Sequence, residues 1–287
     1  MRKDKRIIQL HEMSDGLYAV KGRIVINQNA QIEGYFYIDT GSTINLIRQN
    51  RLFEGKRHSF SSIVGLGNTS SVTKEYYLDF SIENRKPIHN VSFFEVKDDT
   101  TKEWDYGVIG VIGYTFLKHF NYIIDFDKKR IFPYDAFLFM KPKPKMKCRF
   151  QNNHSNLTLP VISISDGVKC YSGIIDSGSV SNIISSLPVI RGDICCQIIN
   201  PQKSVIAGIN SSAESISSII TFFLISSSGV EKETMTNFTG NFDIMLSDES
   251  LLSFEGETNN IDILLGIEFL KKNKCIIDCR RGVLGIN

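Results

Sequence analysis

This chain has little net charge, no long apolar run, almost no tryptophan and, over its first 147 residues, no cysteine. Thirty-three Lys and Arg against 31 Asp and Glu leave a formal charge of +2, too small to argue for nucleic acid or an anionic membrane as partner. No apolar run approaches the roughly 20 residues needed to span a bilayer. The start, Met1-Arg2-Lys3-Asp4-Lys5-Arg6, is basic, but Ile7-Ile8-Gln9-Leu10 breaks off too early for a signal sequence. As written the chain therefore reads as cytoplasmic, and a removed leader would make it periplasmic or secreted. The five histidines form no H-x-x-H pair or other ligand cluster. Cys275 and Cys279 have loose ligand spacing with no histidine nearby, so neither a metal nor a cofactor is expected.

What is there is there twice. Ile38-Asp39-Thr40-Gly41-Ser42-Thr43-Ile44-Asn45-Leu46-Ile47 returns 137 positions later (176 − 39) as Ile175-Asp176-Ser177-Gly178-Ser179-Val180-Ser181-Asn182-Ile183-Ile184. Both copies read I-D-[TS]-G-S-x-x-N-[LI]-I. In each, an apolar run ends on a carboxylate, turns at a glycine and resumes, as a strand does when it delivers one acid to a cleft. A second block repeats further on. Gly113-Tyr114-Thr115-Phe116-Leu117-Lys118 leads to Ile123-Ile124-Asp125, and Gly266-Ile267-Glu268-Phe269-Leu270-Lys271 leads to Ile276-Ile277-Asp278. The shared pattern is G-x-x-F-L-K-x(4)-I-I-D. The duplication thus holds at both ends of each half. A disulfide framework would be shared by both copies, so six cysteines confined to the second half read as free thiols.

With 287 residues, 42% hydrophobic and 22% charged, the chain can form one large soluble domain or two ordinary ones. Residues 17–26 and 32–38 favour strands, the latter alternating with a period of two into Asp39. Further strands are expected at 76–82, 91–96, 157–164, 169–175 and 216–225, and a short helix after each repeated G-x-x-F-L-K. Gly65-Leu66-Gly67 reads as the tip of a mobile hairpin, and Gly208 falls at the corresponding place in half two. Between acid and repeated glycine, half one has 74 positions (113 − 39) and half two 90 (266 − 176). The excess is expected in a surface loop within Ser226 to Asn260. Lys141-Pro142-Lys143-Pro144-Lys145-Met146-Lys147 reads as an extended, solvated linker. The organisation is then a first half at 1–140, a linker at 141–147 and a second half at 148–287.

Two carboxylates in contact cannot both ionise easily, so one holds a proton while the other acts as base. Such a pair can take a proton from water and give one to a carbonyl oxygen. Gly41 and Gly178 allow a tight turn and close backbone approach. Thr40 and Ser177 carry hydroxyls able to lock the two loops together. Ser42 and Ser179 are expected to donate to the outer carboxylate oxygens, which would lower the pKa values and move activity toward acid. Asp125 and Asp278 end strands before basic turns and read as turn or ion-pair residues.

At these residues the chain resembles the aspartic peptidases of the pepsin and retropepsin group. In that family two D-[TS]-G loops carry the catalytic pair, and a later apolar-Gly segment, here Ile112-Gly113 and Leu265-Gly266, packs behind each loop. The resemblance covers about residues 15–135 and 155–287. The size of the halves is similar to a single-chain fusion of two retropepsin-like units, as in bacterial-type aspartyl proteases. It implies an all-β fold of two barrel-like halves related by a pseudo-twofold axis, each with one short helix. It further implies an aspartic endopeptidase with Asp39 and Asp176 catalytic, supported by Thr40, Gly41, Ser42, Ser177, Gly178 and Ser179. Gly65, Leu66, Gly67 and Gly208 are its substrate-binding flap candidates. The implied partner is an extended peptide or protein, with no nucleic acid or membrane, and two fused halves remove the need to dimerise. At the flap no Tyr-Gly pair stands where pepsins carry their flap tyrosine.

Two other readings share these features. A peptide-binding or scaffolding protein could keep such a fold without turnover. Paired acids also serve glycoside hydrolysis. That reading fits poorly with a single tryptophan, Trp104, in a charged loop.

Overall fold

The structure, a computed structural model, describes residues 6–27, 29–64, 70–83, 85–97, 101–102, 104–136, 144–151, 159–190, 196–207, 212–228, 232–246, 251 and 261–287. Strands dominate, and the sequence duplication becomes a duplication of sheets.

In half one, strands Tyr18–Asn27, Ala30–Asp39, Val108–Gly113, Leu46–Arg48, Ile88–Val96 and Ser70–Ile82 pair in that order, and the last returns to the first. In half two the order is Val161–Ser165, Cys170–Ile175, Ile261–Leu265, Ile183–Ser185, Lys232–Met245 and Ser212–Ser228, again closed on itself. Each half is therefore a closed barrel of six strands. Even the senses of pairing agree. The strand that leads to the acid lies parallel to the strand that leads to the repeated glycine in both halves. Closure leaves the ring without unpaired edges, and alternation fills its interior. Phe36, Phe80 and Phe93 meet inside the first barrel with ring centroids 4.9, 5.5 and 6.1 Å apart. Phe222 and Phe242 meet edge-on at 5.5 Å in the second.

A third sheet of six strands joins the barrels. Its order is Ile8–Gln9, Arg130–Pro133, Tyr122–Asp125, Ile276–Asp278, Val283–Ile286 and Met146–Arg149. The two I-I-D strands are its centre and run antiparallel, with Ile124 opposite Ile277, its own counterpart. The bonds just outside are reciprocal too: Phe126 N–H to Cys275 O at 3.0 Å and Cys279 N–H to Tyr122 O at 3.2 Å. A pseudo-twofold axis passes between these strands. All four residues of Tyr122–Asp125 are buried, so the shared apolar run is core common to both halves.

The aspartates that end the strands behave as expected of turn residues. Asp125 accepts from Lys128 N–H and Arg130 Nε, both at 3.0 Å. Asp278 accepts from Arg281 N–H at 3.0 Å. The repeated glycines open short helices, Tyr114–His119 and Ile267–Lys272. A further short helix, Ser186–Ile190, follows the strand Ile183–Ser185 in half two, where half one has the single 3-10 turn Arg51–Phe53.

Two expectations are corrected. The stretch after Ser226 does not form only a surface loop, because Lys232–Met245 is a 14-residue strand paired along its length with the 17-residue Ser212–Ser228. Their counterparts in half one have 9 and 13 residues, so much of the excess length extends a hairpin. Its threonines, asparagines and charged residues hid the strand, and the signal that marks it is Phe242 and Ile244, both buried two positions apart. The second correction concerns the expected linker. Met146 and Lys147 already belong to the strand Met146–Arg149, whose ladder partner is the C-terminal strand. Among the described residues Cys148, Cys170, Cys275 and Cys279 are free thiols.

Candidate active site

Asp39 ends its strand opposite Gly113, and Asp176 follows the strand in which Ile175 lies opposite Leu265. Both loops turn back at once, because each aspartate accepts from the N–H two residues on. Gly41 N–H reaches Asp39 Oδ1 and Gly178 N–H reaches Asp176 Oδ1, both at 2.8 Å. The two carboxyls face each other across the paired loops, each packed against the other loop's glycine and close enough to shift the other's proton affinity.

That contact requires glycine in both loops. A Cβ on Gly41 would lie 2.3 Å from Asp176 Cγ, and one on Gly178 would lie 2.4 Å from Asp39 Cγ. Each loop thus packs its bare backbone against the other loop's acid. Beside them the hydroxyls interlock. Thr40 Oγ1 donates to Ile175 O at 2.7 Å and accepts from Ser177 N–H at 3.0 Å. Ser177 Oγ donates to Ile38 O at 2.6 Å and accepts from Thr40 N–H at 3.1 Å. Both residues are fully buried, so each of these bonds is shielded from water.

Behind each loop stands the repeated glycine. A Cβ on Gly113 would fall 2.2 Å from Ile44 O, and one on Gly266 would fall 2.2 Å from Ser181 O. The helices that follow are anchored to the loops by Tyr114 N–H to Ser42 O at 2.7 Å and Ile267 N–H to Ser179 O at 2.8 Å.

Sequence reasoning assigned no role to the repeated asparagine, and the structure supplies one. Asn45 Oδ1 accepts from Gly113 N–H at 3.0 Å while its Nδ2 donates to Ser92 O at 3.0 Å. Asn182 does the same with Gly266 N–H at 3.0 Å and Asn241 O at 2.9 Å. Each amide staples its loop to two other strands. The available signal was its presence at the same position of both copies.

The serines after the glycines behave differently from expectation. Ser42 Oγ donates to Ile44 O at 2.9 Å and Ser179 Oγ to Ser181 O at 3.0 Å, so their single protons fasten their own loops. It is the backbone N–H of Ser42 and of Ser179 that helps to hold the adjacent carboxylate. The expected downward pKa shift is also reversed. Asp39 is raised well above the ordinary carboxylate range, first by burial and then by the charge and hydrogen bond of Asp176. Asp176 is raised by burial, against the opposing bonds from Asp39 and from the N–H groups of Gly178, Gly41 and Ser179. Burial and like-charge repulsion together outweigh the donors, so the pair retains one proton to higher pH than an isolated aspartate would.

The flap candidates Gly65, Leu66, Gly67 and Gly208 lie outside the described residues. The strands on either side of them are described and form hairpins at equivalent places. His58–Val64 pairs with Ser70–Ile82, and Cys196–Ala207 pairs with Ser212–Ser228. No group of three His, Cys, Asp or Glu able to hold a metal occurs among the described residues.

No protein-family model and no curated protein matches the sequence. Solved structures do match the fold. Conglutin gamma, a basic 7S globulin from lupine seeds, aligns over 98% of this chain and 94% of its own, with a TM-score of 0.52 at 9% identity. Basic 7S globulin from soybean aligns over 98% and 95%, with a TM-score of 0.53 at 11% identity. The fold is pepsin-like. At such low identity the likeness speaks for the two-barrel architecture and not for chemistry. Within the pepsin-like fold of this chain, the acid pair lies where the two barrels meet, between the loops that Thr40 and Ser177 lock together.

Proposed function

We propose that the chain is an aspartic endopeptidase, hydrolysing peptide bonds by general acid–base activation of a water shared between Asp39 and Asp176. The observation that carries this reading is the contact of the two half-buried carboxyls, both shifted toward holding a proton. With one proton between them, the ionised member takes a proton from the water. The protonated member gives one to the carbonyl oxygen as the tetrahedral species forms. The locked loops keep this geometry without reorganisation during the reaction. The substrate on this reading is an extended polypeptide, bound by one chain whose two halves supply one acid each.

The second reading is a peptide-binding protein without turnover. It draws support from the neighbours of the fold, which are named as basic 7S globulins.

One experiment separates the two. Denatured casein is incubated with the protein between pH 3 and 8. Cleavage with a bell-shaped pH profile, lost in Asp39→Asn and in Asp176→Asn, is the expected result. A protein that binds a statine-type inhibitor such as pepstatin but cleaves nothing would favour the binding reading. Cleavage that survives either substitution would refute the acid pair.

A further inference from the structure

A run of hydrogen bonds leads from the Asp39 loop into the hairpin that carries the first-half flap candidates. Asn45, in that loop's outgoing arm, donates to Ser92 O at 3.0 Å. Ser92 Oγ turns to the neighbouring strand and donates to Glu75 Oε1 at 2.6 Å. Glu75 Oε2 in turn accepts from Ser61 Oγ at 3.0 Å and Ser59 Oγ at 3.2 Å. The Tyr77 hydroxyl is a fourth donor to the same carboxylate. Ser59 and Ser61 belong to His58–Val64, the strand that runs out to the hairpin tip.

An ionised carboxylate has about four lone-pair positions and no proton to donate. Four hydroxyls fill them here, drawn from three adjacent strands. Burial works against the charge of Glu75, yet the hydroxyls outweigh it and hold its carboxyl below the usual range. Hydrogen bonds to a charged acceptor are stronger than neutral ones. The cluster is thus a charged rivet through the base of the hairpin.

The second half is built differently at this place. Phe94 and Asp243 occupy equivalent positions, since their N–H groups donate to Asn45 O and Asn182 O, both at 2.9 Å. Opposite Phe94 stands Glu75, and opposite Asp243 stands Ser217. The acid has moved one strand toward the Asp176 loop, where it accepts from Ser217 Oγ at 2.8 Å. The acid at this place thus stands one strand apart in the two halves, in a chain whose acid-bearing loops are otherwise matched bond for bond.

We propose that Glu75 is a positioning residue for substrate binding, its carboxylate fixing the first-half hairpin relative to the Asp39 loop through Ser59, Ser61, Ser92 and Asn45. The substrate part of this statement rests on the peptidase reading above. Glu75 itself touches neither the acid pair nor the peptide. On the peptidase reading this hairpin contacts the bound peptide, so loss of Glu75 weakens binding more than chemistry.

The test uses the full chain with Glu75→Ala, Glu75→Gln, and the double variant Ser59→Ala with Ser61→Ala. Amide hydrogen exchange of residues 58–64 and 70–76 is measured beside steady-state cleavage of a peptide substrate. In Glu75→Ala the exchange of 58–64 rises about 10- to 100-fold, the loss expected when several bonds to one charged acceptor vanish. KM rises about tenfold while kcat stays within about threefold, the pattern of lost uniform binding. Glu75→Gln keeps the shape and one acceptor oxygen but loses the charge and half of the acceptor positions, and returns both readouts only part of the way to the parent. The double serine variant reproduces the alanine result while leaving the Glu75–Ser92 bond intact, and it decides the matter if Glu75→Ala does not fold. Unchanged exchange at 58–64 would overturn the proposal. So would faster exchange with KM unmoved, which would leave Glu75 a purely structural residue. A parent protein that cleaves nothing would sink the peptidase reading alone, and the rivet would still stand or fall by the exchange rates.

Discussion

Replacing Thr40 by valine tests the physical basis of the site more directly than removing an aspartate. Valine has nearly the shape of threonine, so the cavity is preserved and only the hydroxyl becomes a methyl. That hydroxyl donates to Ile175 O at 2.7 Å and accepts from Ser177 N–H at 3.0 Å, in a residue with 0% exposure. Water cannot replace it there. Two backbone groups of the opposite half are left without this partner, and each buried orphan costs about 1–3 kcal/mol. The expected loss is about 2–6 kcal/mol, a large part of the roughly 5–15 kcal/mol that stabilises an ordinary domain. Thr40→Ser is the control. It keeps the hydroxyl that half two uses at the same position and loses one buried methyl, for about 1 kcal/mol. The assay is equilibrium urea unfolding followed by Trp104 fluorescence and far-UV circular dichroism, with coincident transitions required before either is converted to free energy. The carboxyls depend on the same loops, so cleavage should fall together with stability in Thr40→Val and persist in Thr40→Ser. A Thr40→Val protein within about 0.5 kcal/mol of the parent would refute the reasoning, because the interlocked hydroxyls would then contribute nothing beyond their shape.

Two further outcomes follow from the same geometry. Gly41→Ala and Gly178→Ala each place a methyl 2.3 to 2.4 Å from the facing carboxyl carbon, so both should abolish cleavage through displaced acids, with an altered crystal structure at the loops as the check. Asp39→Asn should raise stability at neutral pH. A carboxyl whose folded pKa is raised binds more protons folded than unfolded, so its contribution is complete below about pH 4 and is lost as pH rises through the folded value. The amide escapes that loss, so its thermal midpoint should exceed the parent's at pH 7, by about 2–4 °C for each kcal/mol recovered, and converge with it near pH 4. A variant less stable than the parent at pH 7 would contradict the assigned direction.

The sequence by itself determined the duplication, the places of both acids and the short helix after each repeated glycine, because all of these are local patterns set by spacing along the chain. It also determined that the fold would be all-β, since strand alternation and paired turns are properties of neighbouring residues. Tertiary structure decided what each polar group actually bonds. The hydroxyls of Ser42 and Ser179 look available for the carboxylates in a written motif, yet nearer carbonyls of their own loops take them. Asn45 and Asn182 appear only as repeated letters until two distant strands arrive to be stapled. The polar stretch before Met245, rich in threonine and asparagine, hid a long strand, because its partner lies a hairpin away and its inward face is carried by a few aromatics. The direction of the acid pair's pKa likewise depended on how deeply two loops from opposite halves bury each other, which is a balance of approach and desolvation that no spacing within one loop records.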